Sequence, residues 1–527
     1  MTNAIDDIEH AKVIFVIGSN TTEAHPVIAL RIKKAVMENG CKLIVADPRH
    51  IRLCYYAEQW LRLAPGTDIA LINAMMNVII EEGLYDKEFV AQRTEGFEEQ
   101  AELVKEYAPE KAAEITGLDP EEIREAARLY ATTDPAAIIY CLGITEHIMG
   151  VNNVISLASL SMLTGNIGKS GGGVNPLRGQ NNVQGACDMG ALPNVYPGYQ
   201  PVDDLEIRAK FEKEWGVELP ERSGYTATDM MTMAIDGDMK ALFIFGENLM
   251  LSDPNSKHVR KAFKCLDFLV VEDIFMTETA AFADVVLPAA SFAEKEGTFT
   301  ATDRRVQRVR KAVEPPGEAW PDFDIIGEIS RRMGYEMATV IPAEVMDEVA
   351  RLTPQYGGIS HERLDTGVTL HWPCPDAEHP GTPILHTKFF TRGKGWFCPV
   401  HYTPPSELPD SDYPLVLSTG RLLWQYHTGT MTRRSKAIDE IDPYGKVWMS
   451  PIDAEKLGIL SGNDVVVSTR RGSVDIEAAV TPRIPEGMLW MVFHYAETPT
   501  NVLTSSFVDP VSKTPEYKFC AAKVAVK

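Results

Sequence analysis

The sequence contains no pair of cysteines at the Cys-x-x-Cys spacing. Its eight cysteines lie singly along 527 residues, whereas zinc ribbons, thiol redox motifs and iron-sulfur ligand sets bring cysteines within a few positions of each other. The pattern therefore argues against a disulfide framework, a zinc ribbon or a cluster that this chain alone would hold.

Long apolar runs and an excess of basic residues are also missing. No run reaches the ~20 residues of a membrane span, and the first residues have neither the basic end nor the apolar centre of a signal peptide. A cytoplasmic protein without membrane insertion is therefore expected. The 51 Lys and Arg against 74 Asp and Glu leave a net charge of -23, which disfavours nucleic acid as a partner and requires a local basic site for any anionic ligand.

The beginning of the chain follows the order strand, glycine turn, helix, strand, acid. The predicted strand Val13–Ile17 ends in Gly18-Ser-Asn20, a helix spans Pro26–Asn39, and the strand Lys42–Ala46 ends in Asp47-Pro-Arg49. This is the order of a dinucleotide-binding unit. The turn lacks the G-x-G-x-x-G fingerprint, so an ordinary parallel sheet remains open as an alternative.

The same order recurs after residue 240. A strand over Ala241–Phe245 ends at Gly246, and a strand over Phe268–Asp273 ends in an acid. Gly18 and Asp47 are 29 positions apart, and Gly246 and Asp273 are 27 apart. The pattern predicts an α/β fold with two Rossmann-like units related by an internal pseudo-repeat, each with a ligand moiety at its strand ends. A duplicated scaffold without ligands is the alternative.

The last quarter of the chain differs in kind. Short strands separated by turns are predicted at 413–418, 446–450, 464–469, 473–478 and 488–493, which is typical of a β-barrel. Prolines and glycines interrupt residues 342–405 repeatedly, so packed loops are predicted there. The length of the chain predicts about three domains. The expected regions are 1–180, 181–292, 293–405 and 406–527, of which 293–405 is a returning segment of helix and loops.

A polar segment, Gly171–Asp188, joins the two predicted α/β units. It holds five glycines, three asparagines, two glutamines and one arginine, Arg178. Glycine allows close approach of backbone to a ligand, and carboxamides both donate and accept hydrogen bonds. The composition favours a polar cavity wall over a solvated linker, which would be richer in Ser, Pro, Glu and Lys.

Several motifs together carry a resemblance to a known family. They are Val-Ile-Gly-Ser-Asn-Thr-Thr-Glu-Ala-His-Pro26, Ala-Asp-Pro-Arg49, Met-Leu-Thr-Gly-Asn-Ile-Gly-Lys169, Arg178-Gly-Gln-Asn-Asn-Val-Gln-Gly-Ala-Cys-Asp-Met-Gly190, Val-Glu-Asp-Ile-Phe-Met-Thr277, Ser-Thr-Gly-Arg421 and Thr-Pro-Glu-Tyr-Lys518. Over its whole length the chain resembles the catalytic (alpha) subunit of molybdenum- or tungsten-dependent formate dehydrogenases, members of the molybdopterin oxidoreductase superfamily. The Arg178 motif is the most specific to formate dehydrogenases, and the others are general to the superfamily.

The resemblance implies a bis(molybdopterin guanine dinucleotide) cofactor with Mo or W, one dinucleotide arm on each α/β unit, and a double-psi β-barrel as the molybdopterin dinucleotide-binding domain. One arm would contact Gly18, Asn20, Asp47, Arg49, Gly66 and Asp68, with Gly143 and Gln180 also at the cofactor. The other arm would contact Gly246, Glu247, Asp253, Asp273 and Thr277. Barrel contacts would come from Thr419, Arg421, His427, Thr428, Thr432, Asn501, Tyr517 and Lys518.

The implied reaction is the reversible two-electron oxidation of formate to CO2, with electrons passed to an iron-sulfur or flavin partner subunit. Arg178 is the candidate catalytic residue, because a planar guanidinium matches a carboxylate at two points. No metal ligand is assigned. Cys187 is interpreted as a packed cysteine, and His25, His147, His427 and His494 as structural histidines, of which His427 and His494 have the best chance of lining the cofactor region.

One departure from the family pattern concerns the amino terminus. Family members carry an amino-terminal domain with cysteines for a 4Fe-4S cluster, then a selenocysteine or cysteine metal ligand followed by a histidine, upstream of the position that matches Met1. The hypothesis is that an in-frame selenocysteine codon was read as a stop and that this chain is a carboxy-terminal fragment, inactive alone. A nitrate reductase of the same superfamily and a non-catalytic electron-transfer scaffold of the same fold are the alternatives.

Overall fold

The computed structural model describes residues 1–337 and 341–527. The chain forms two compact units. The first unit consists of residues 1–179, 251–256 and 384–527, and the second of residues 180–250 and 257–383. The boundary at 179/180 lies beside the predicted one, whereas the barrel shares a unit with the first sheet.

A five-stranded parallel sheet forms the centre of the first unit. Its strands, in chain order, are β1 (Val13–Ile17), β2 (Lys42–Ala46), β3 (Gln59–Leu61), β4 (Ala136–Tyr140) and β5 (Val174–Pro176). They lie side by side in the order β3-β2-β1-β4-β5. β1 and β4 are buried along their whole lengths, as expected of strands covered on both faces.

Helices cover both faces of this sheet. The longer ones are α1 (Pro26–Asn39), α2 (Asp68–Glu81), α3 (Pro120–Thr132) and α4 (Gly150–Leu163), and shorter ones span Thr21–Ala24, Lys87–Arg93, Phe97–Val104, Pro109–Thr116 and Leu142–Thr145. The ends of α1 match the predicted ones. Pro26 starts α1, and Gly40, at φ 69°, ends it in the left-handed conformation that a C-terminal cap requires.

The second unit contains a smaller parallel sheet with the same strand order. β6 (Ala241–Phe245), β7 (Phe268–Asp273) and β8 (Val285–Pro288) lie in the order β8-β7-β6, as β3-β2-β1 do in the first sheet. Its helices are α5 (Val183–Asp188), α6 (Leu205–Trp215), α7 (Ala227–Asp236), α8 (Ser256–Cys265), α9 (Asp322–Arg332) and α10 (Pro342–Leu352). An antiparallel sheet of Gly297–Thr300, Arg305–Val309 and Leu370–His371 completes it. The repeated strand order confirms the predicted pair of Rossmann-like units.

A closed six-stranded barrel forms the end of the first unit. Its strands are β9 (Leu415–Gly420), β10 (Lys446–Met449), β11 (Asp464–Ser468), β12 (Ser473–Val480), β13 (Met488–Val492) and β14 (Cys520–Val526), closing in the order β9-β13-β10-β12-β11-β14. Alternate residues fill its interior, among them Leu417, Val465 and Met491. The predicted barrel is confirmed, but its sixth strand was not predicted.

The prediction of loops throughout residues 342–405 was wrong at its start. Helix α10 begins with Pro342 at its first position, where a missing N–H costs no hydrogen bond. Met346 and Leu352 are buried on its inner face. A further short helix spans His361–Asp365. Among the described residues, no helix combines the length and the apolar character that crossing a membrane requires.

Candidate functional site

A cleft in the first unit lies where the carboxyl ends of β1, β2 and β4 face the barrel. We call it the sheet–barrel cleft, and its cavity has a volume of about 120 Å³ and is partly open to solvent. Its polar and glycine lining comes from Gly18, Asn20, Asp47, Arg49, Gly66, Asp68, Gly143, Glu146, His147, Ser418, Thr419, Gly420, Arg421 and Lys518. The carboxyl ends of parallel strands are where open α/β sheets bind ligands.

Two glycines in the cleft wall pack against each other through their backbones. Gly18 follows β1 with a φ of 56°, and the amide N–H of Gly143 donates a 2.9 Å hydrogen bond to its carbonyl. A Cβ atom on Gly18 would lie 2.5 Å from the backbone nitrogen of Ile144, and one on Gly143 would lie 2.5 Å from the Gly18 oxygen. Only glycine fits either position, so a ligand here meets bare backbone.

Two buried carboxylates lie in the cleft. Asp47 follows β2, and Asp68 opens α2. Burial raises the pKa of Asp47, although the neighbouring Arg49 opposes the rise. Burial also raises the pKa of Asp68 to about 7, and the only hydrogen bond to its carboxylate from the described residues comes from its own backbone. Such an acceptor suits a ligand that donates N–H or O–H groups.

Three cations face the same space. The Arg49 guanidinium lies 4.2 Å from the ring centre of Trp490, so an aromatic ring of the barrel holds it. Lys518 Nζ pairs with Glu146 at 2.6 Å and donates to the Thr419 carbonyl at 3.1 Å. Arg421 donates to the carbonyl of Gly179 at 3.3 Å. Acceptors and cations therefore line the same cleft, which fits a ligand that carries phosphate, ribose and a base.

The barrel loop beside Arg421 is held by a buried histidine. His494 Nδ1 donates to the carbonyl of His427, and its Nε2 accepts from the backbone N–H of Leu422 at 3.1 Å. Burial, together with Arg421 and Arg433, lowers the pKa of His494 to about 4. Burial, Arg421 and His494 lower that of His427 to about 3. Both imidazoles are therefore neutral at pH 7, and the positive charge at this end of the cleft resides on arginine.

Arg178 follows β5 in a half-buried position. Its carbonyl accepts a 2.5 Å hydrogen bond from His25 Nε2, and burial lowers the pKa of His25. Burial also raises the pKa of the nearby Tyr140 to about 12, a rise that the charge of Arg178 opposes. The main chain around Arg178 is thus fixed from two sides, by His25 and by the Arg421 contact at Gly179.

The second sheet ends in a comparable set of residues. Gly246 follows β6 at φ 64°, and Asp273 ends β7 with its Oδ1 accepting from the N–H of Ile274 at 2.7 Å. Thr277 Oγ1 accepts from the N–H of Ala280 at 3.1 Å. Asn248 Oδ1 accepts from the N–H and hydroxyl of Thr279 at 3.2 and 2.9 Å. These contacts, together with a 2.8 Å hydrogen bond from the N–H of Gly246 to the Glu272 carbonyl, fix the ends of β6 and β7.

The structure brings together ten of the predicted cofactor positions in the sheet–barrel cleft: Gly18, Asn20, Asp47, Arg49, Gly66, Asp68, Gly143, Thr419, Arg421 and Lys518. The predicted positions Gly246, Glu247, Asp273 and Thr277 lie in the second unit, as does Gln180 at its first residue. Asp253 belongs to the first unit. The predicted second-arm set is therefore divided between the two units.

The remaining barrel positions do not line the cleft. His427, Thr428 and Thr432 lie in the loop after Arg421, where Thr432 Oγ1 donates to Gln425 Oε1 at 2.7 Å. Asn501 Nδ2 and the Tyr517 hydroxyl donate to the carbonyls of Leu251 and Ser252 at 2.7 and 2.8 Å. They hold the 251–256 segment within the first unit.

Two residues of the cleft were missed from the sequence. Trp490 and Glu146 line it, but an isolated Trp in a strand or a single Glu after a turn carries no local signal. His147, which was interpreted as a structural histidine, lines the cleft as well. Burial lowers the pKa of His147 to about 4, and its Nε2 lies 3.1 Å from the Gly143 carbonyl. Among the described residues, no group of His, Cys, Asp and Glu side chains is arranged to hold a metal ion.

A second missed feature surrounds Asp188, the last residue of the Gly171–Asp188 segment. Its carboxylate accepts from Gln184 Nε2, the Tyr199 hydroxyl, the Tyr356 hydroxyl and Trp372 Nε1 at 2.7, 2.9, 2.6 and 2.7 Å. Burial raises the pKa of Asp188, and these four donors oppose the rise. The segment therefore ends in a buried anchor of the second unit.

Comparison with known proteins identifies the family. The family model described as Molybdopterin oxidoreductase matches residues 1–332, and the one described as Molydopterin dinucleotide binding domain matches residues 415–521. The F420-dependent formate dehydrogenase 1 subunit alpha of Methanococcus maripaludis is 51% identical over 99% of this chain and 78% of its own length. Formate dehydrogenase H of Escherichia coli is 44% identical over 99% of this chain and 74% of its own length.

A solved structure supports the fold. Acetylene hydratase from Pelobacter acetylenicus superposes with a TM-score of 0.76 at 23% identity, over 99% of this chain and 81% of that one. Two Rossmann-like sheets and a closed barrel that lines a polar cleft define an α/β protein with a nucleotide-binding architecture. The chain belongs to the molybdopterin oxidoreductase family. The two matching family models support a molybdopterin cofactor. The relatives are named as alpha subunits, which implies that they assemble with other subunits.

Proposed function

We propose that this chain is the catalytic subunit of a formate dehydrogenase that interconverts formate and CO2 by transfer of two electrons. The observation that carries the proposal is the identity of 51% and 44% to relatives named as formate dehydrogenases, extending over 99% of the chain. The Arg178 segment lies inside that aligned length, and a guanidinium is the side chain best matched to a small carboxylate.

The proposed cofactor is bis(molybdopterin guanine dinucleotide) with Mo or W. The residues present fit one dinucleotide arm in the sheet–barrel cleft. Gly18 and Gly143 leave room for it at the backbone, Asp47 and Asp68 accept hydrogen bonds from ribose or guanine, and the cations at positions 49, 421 and 518 neutralise phosphate. Gly246, Glu247, Asp273 and Thr277 are proposed for the other arm. When bound, the cofactor supplies the two-electron acceptor for formate.

The work of the chain itself is binding and orientation. Arg178 would pair with both oxygens of formate and hold it in one orientation, and Gln180 is proposed as a cofactor contact. His25, His427 and His494 are neutral at pH 7, because burial lowers the pKa of each. The positive charge that formate meets therefore comes from Arg178 and not from these imidazoles. Electrons then pass to an iron-sulfur or flavin partner subunit.

The test is Arg178→Lys in the complete, cofactor-loaded enzyme. Lysine keeps the charge but loses the two-point geometry, so kcat/KM for formate with an artificial electron acceptor should fall by about 10-fold to 1,000-fold. The matched control is Arg222→Lys, since Arg222 is exposed in the second unit. An unchanged kcat/KM in Arg178→Lys, or a wild-type enzyme that reduces nitrate and leaves formate untouched, would overturn the proposal.

A further inference from the structure

Three successive carbonyl groups, those of residues 177–179, each accept a hydrogen bond from a side chain that is distant in sequence. The three contacts are Cys141 Sγ to Leu177 at 3.1 Å, His25 Nε2 to Arg178 at 2.5 Å and Arg421 to Gly179 at 3.3 Å. The donors lie 36, 153 and 242 positions from their acceptors, and all six residues belong to the first unit. Strand β5 ends at Pro176, so side chains fix the carbonyls that follow it.

His25 is the donor that contacts Arg178 itself. Its own backbone is fixed between two helices, because its N–H donates to the carbonyl of Thr21 at 2.9 Å and its carbonyl accepts from the N–H of Ala29 at 3.0 Å. Since the Arg178 carbonyl can only accept, Nε2 of His25 carries the ring proton and Nδ1 is unprotonated. Nδ1 is buried and has no hydrogen-bond partner among the described residues. The imidazole therefore offers a single N–H to a single acceptor.

The contribution of His25 is a hydrogen bond and not a charge. Burial and the charge of Arg421 lower the pKa of His25, and its hydrogen bond to Arg178 opposes the decrease. The ring is therefore neutral at pH 7 and cannot pair with formate as a cation. Of the two other donors, the thiol of Cys141 is a weak one, and Arg421 contacts the following residue.

A guanidinium that must meet a carboxylate at two points needs a fixed main chain. Arginine has a long and flexible side chain, so its two-point geometry holds only where the surrounding contacts orient it. Misplacement of a binding group by ~1 Å can cost on the order of 100-fold in rate. We propose that His25 is a positioning residue, whose Nε2–H fixes the peptide of Arg178 so that the guanidinium stays aligned with formate. This inference rests on the proposed function of Arg178.

Two amide variants test the hydrogen bond in the complete, cofactor-loaded enzyme. Glutamine can place its side-chain N–H near the position of His25 Nε2, whereas asparagine is one carbon shorter and does not reach the carbonyl. We expect His25→Asn to lower kcat/KM for formate by about 10-fold to 100-fold, and His25→Gln to stay within about threefold of wild type. His401→Asn is the control, because His401 is exposed in the first unit. Equal losses in the two amide variants would overturn the proposal.

A double variant tests whether His25 acts through Arg178. In the Arg178→Lys enzyme the two-point contact is already lost, so adding His25→Asn should change kcat/KM by less than about twofold. A residue that only supports the fold would lower kcat/KM by the same factor in both backgrounds, and that result would overturn the proposal. If Arg178→Lys is impaired and His25→Asn is not, only the role of His25 is wrong. If Arg178→Lys alone is unimpaired, the proposed function is wrong and the role of His25 falls with it.

Hydrogen exchange of the 527-residue chain gives a readout that needs no turnover. The amides of residues 177–182 should exchange faster in His25→Asn than in wild type and in His25→Gln, because the peptide of Arg178 has lost its donor. The amides of the barrel strands should exchange at the wild-type rate, and Tm should stay within a few degrees, which separates a local loss from misfolding. Equal exchange of residues 177–182 in all three proteins would show that the Arg178 carbonyl is held without His25, and would overturn the proposal.

Discussion

Glu272 has an unusual environment for a carboxyl group. Both of its oxygens are buried, and neither accepts a hydrogen bond from the described residues. Burial raises its pKa to about 7, although the charge of Lys295 opposes the rise, and Lys295 itself is engaged with Asp322. An ionised Glu272 is therefore poorly compensated in the folded protein.

The stability of the protein should reflect this acid. In the unfolded chain a glutamate titrates near pH ~4.3, so between that value and about 7 the native state binds more protons, and the free energy of unfolding falls as pH rises. Glu272→Gln should remove that loss and raise Tm at pH 8 by about 2 to 4 °C. At pH 4, below the unfolded pKa, the two proteins should melt together.

Calorimetry at both pH values checks the prediction, with Glu318→Gln as the control. Glu318 is exposed, so its substitution should leave Tm unchanged at either pH. A Glu272→Gln variant that is less stable than wild type at pH 8 would show that the ionised carboxylate has partners.

The turn after β1 and the short helix Leu142–Thr145 approach each other closely. The backbone of Gly18 and that of Gly143 meet there without a side chain between them. A side chain at either position would push the helix away from the end of β1, and with it the wall of the sheet–barrel cleft. The turn therefore sets the width of the cleft as well as the direction of the chain.

Comparing Gly18→Ala with Gly40→Ala separates the contact from the backbone conformation. Gly40 has a φ of 69° and open space around it, whereas Gly18 has a φ of 56° and backbone 2.5 Å away. We expect Gly40→Ala to cost about 1 kcal/mol and Gly18→Ala about 3 kcal/mol or more of unfolding free energy. Urea denaturation measures the free energy of unfolding of both variants. Equal decreases would mean that the helix Leu142–Thr145 can move away from position 18 at no energetic cost.

Helices and strands were predicted correctly from the sequence where their own residues mark them. The ends of β1 and α1 were predicted to the residue, because a β-branched run and a Pro–Gly pair mark them. β14 was missed, since Cys520-Ala-Ala-Lys-Val-Ala-Val526 carries few strand-forming residues before Val524. It is a strand because β9 and β11, far away in the chain, both pair with it. The β-propensity of residues 520–526 could not predict this pairing, which closes the barrel.

The candidate site divides in the same way. Turn glycines and strand-end acids such as Gly18 and Asp47, each of which follows a predicted strand, line the sheet–barrel cleft as the prediction would require. Trp490 and the partners of Asp188 were missed, since Tyr356 and Trp372 lie more than 160 positions from that acid. Only the folded chain brings such residues together.

At the scale of the whole molecule, charge is the dominant property. With a net charge of -23, the acidic side chains repel one another more strongly in the compact folded state than in the unfolded chain, which lowers the stability of the fold. Raising NaCl from 10 to 150 mM shortens the screening length from about 30 to about 8 Å, so Tm at pH 7 should rise by a few degrees. At pH 5, which is the isoelectric point of about 5.0 expected from the sequence, the net charge is close to zero and the rise should be smaller. Melting curves at the two pH values check this, and an equal rise would point to specific ion binding.

The two walls of the sheet–barrel cleft are synthesised at different times. Lys518 leaves the ribosome 500 positions after Gly18, which at ~5 to 20 residues per second is a delay of about 25 to 100 s. During that interval the second unit, encoded between them, has already emerged in full. The first sheet is therefore synthesised well before the barrel that forms the other wall of the cleft. The cleft can form only when translation is nearly complete, so its ligand binds a nearly finished chain and not an early nascent one.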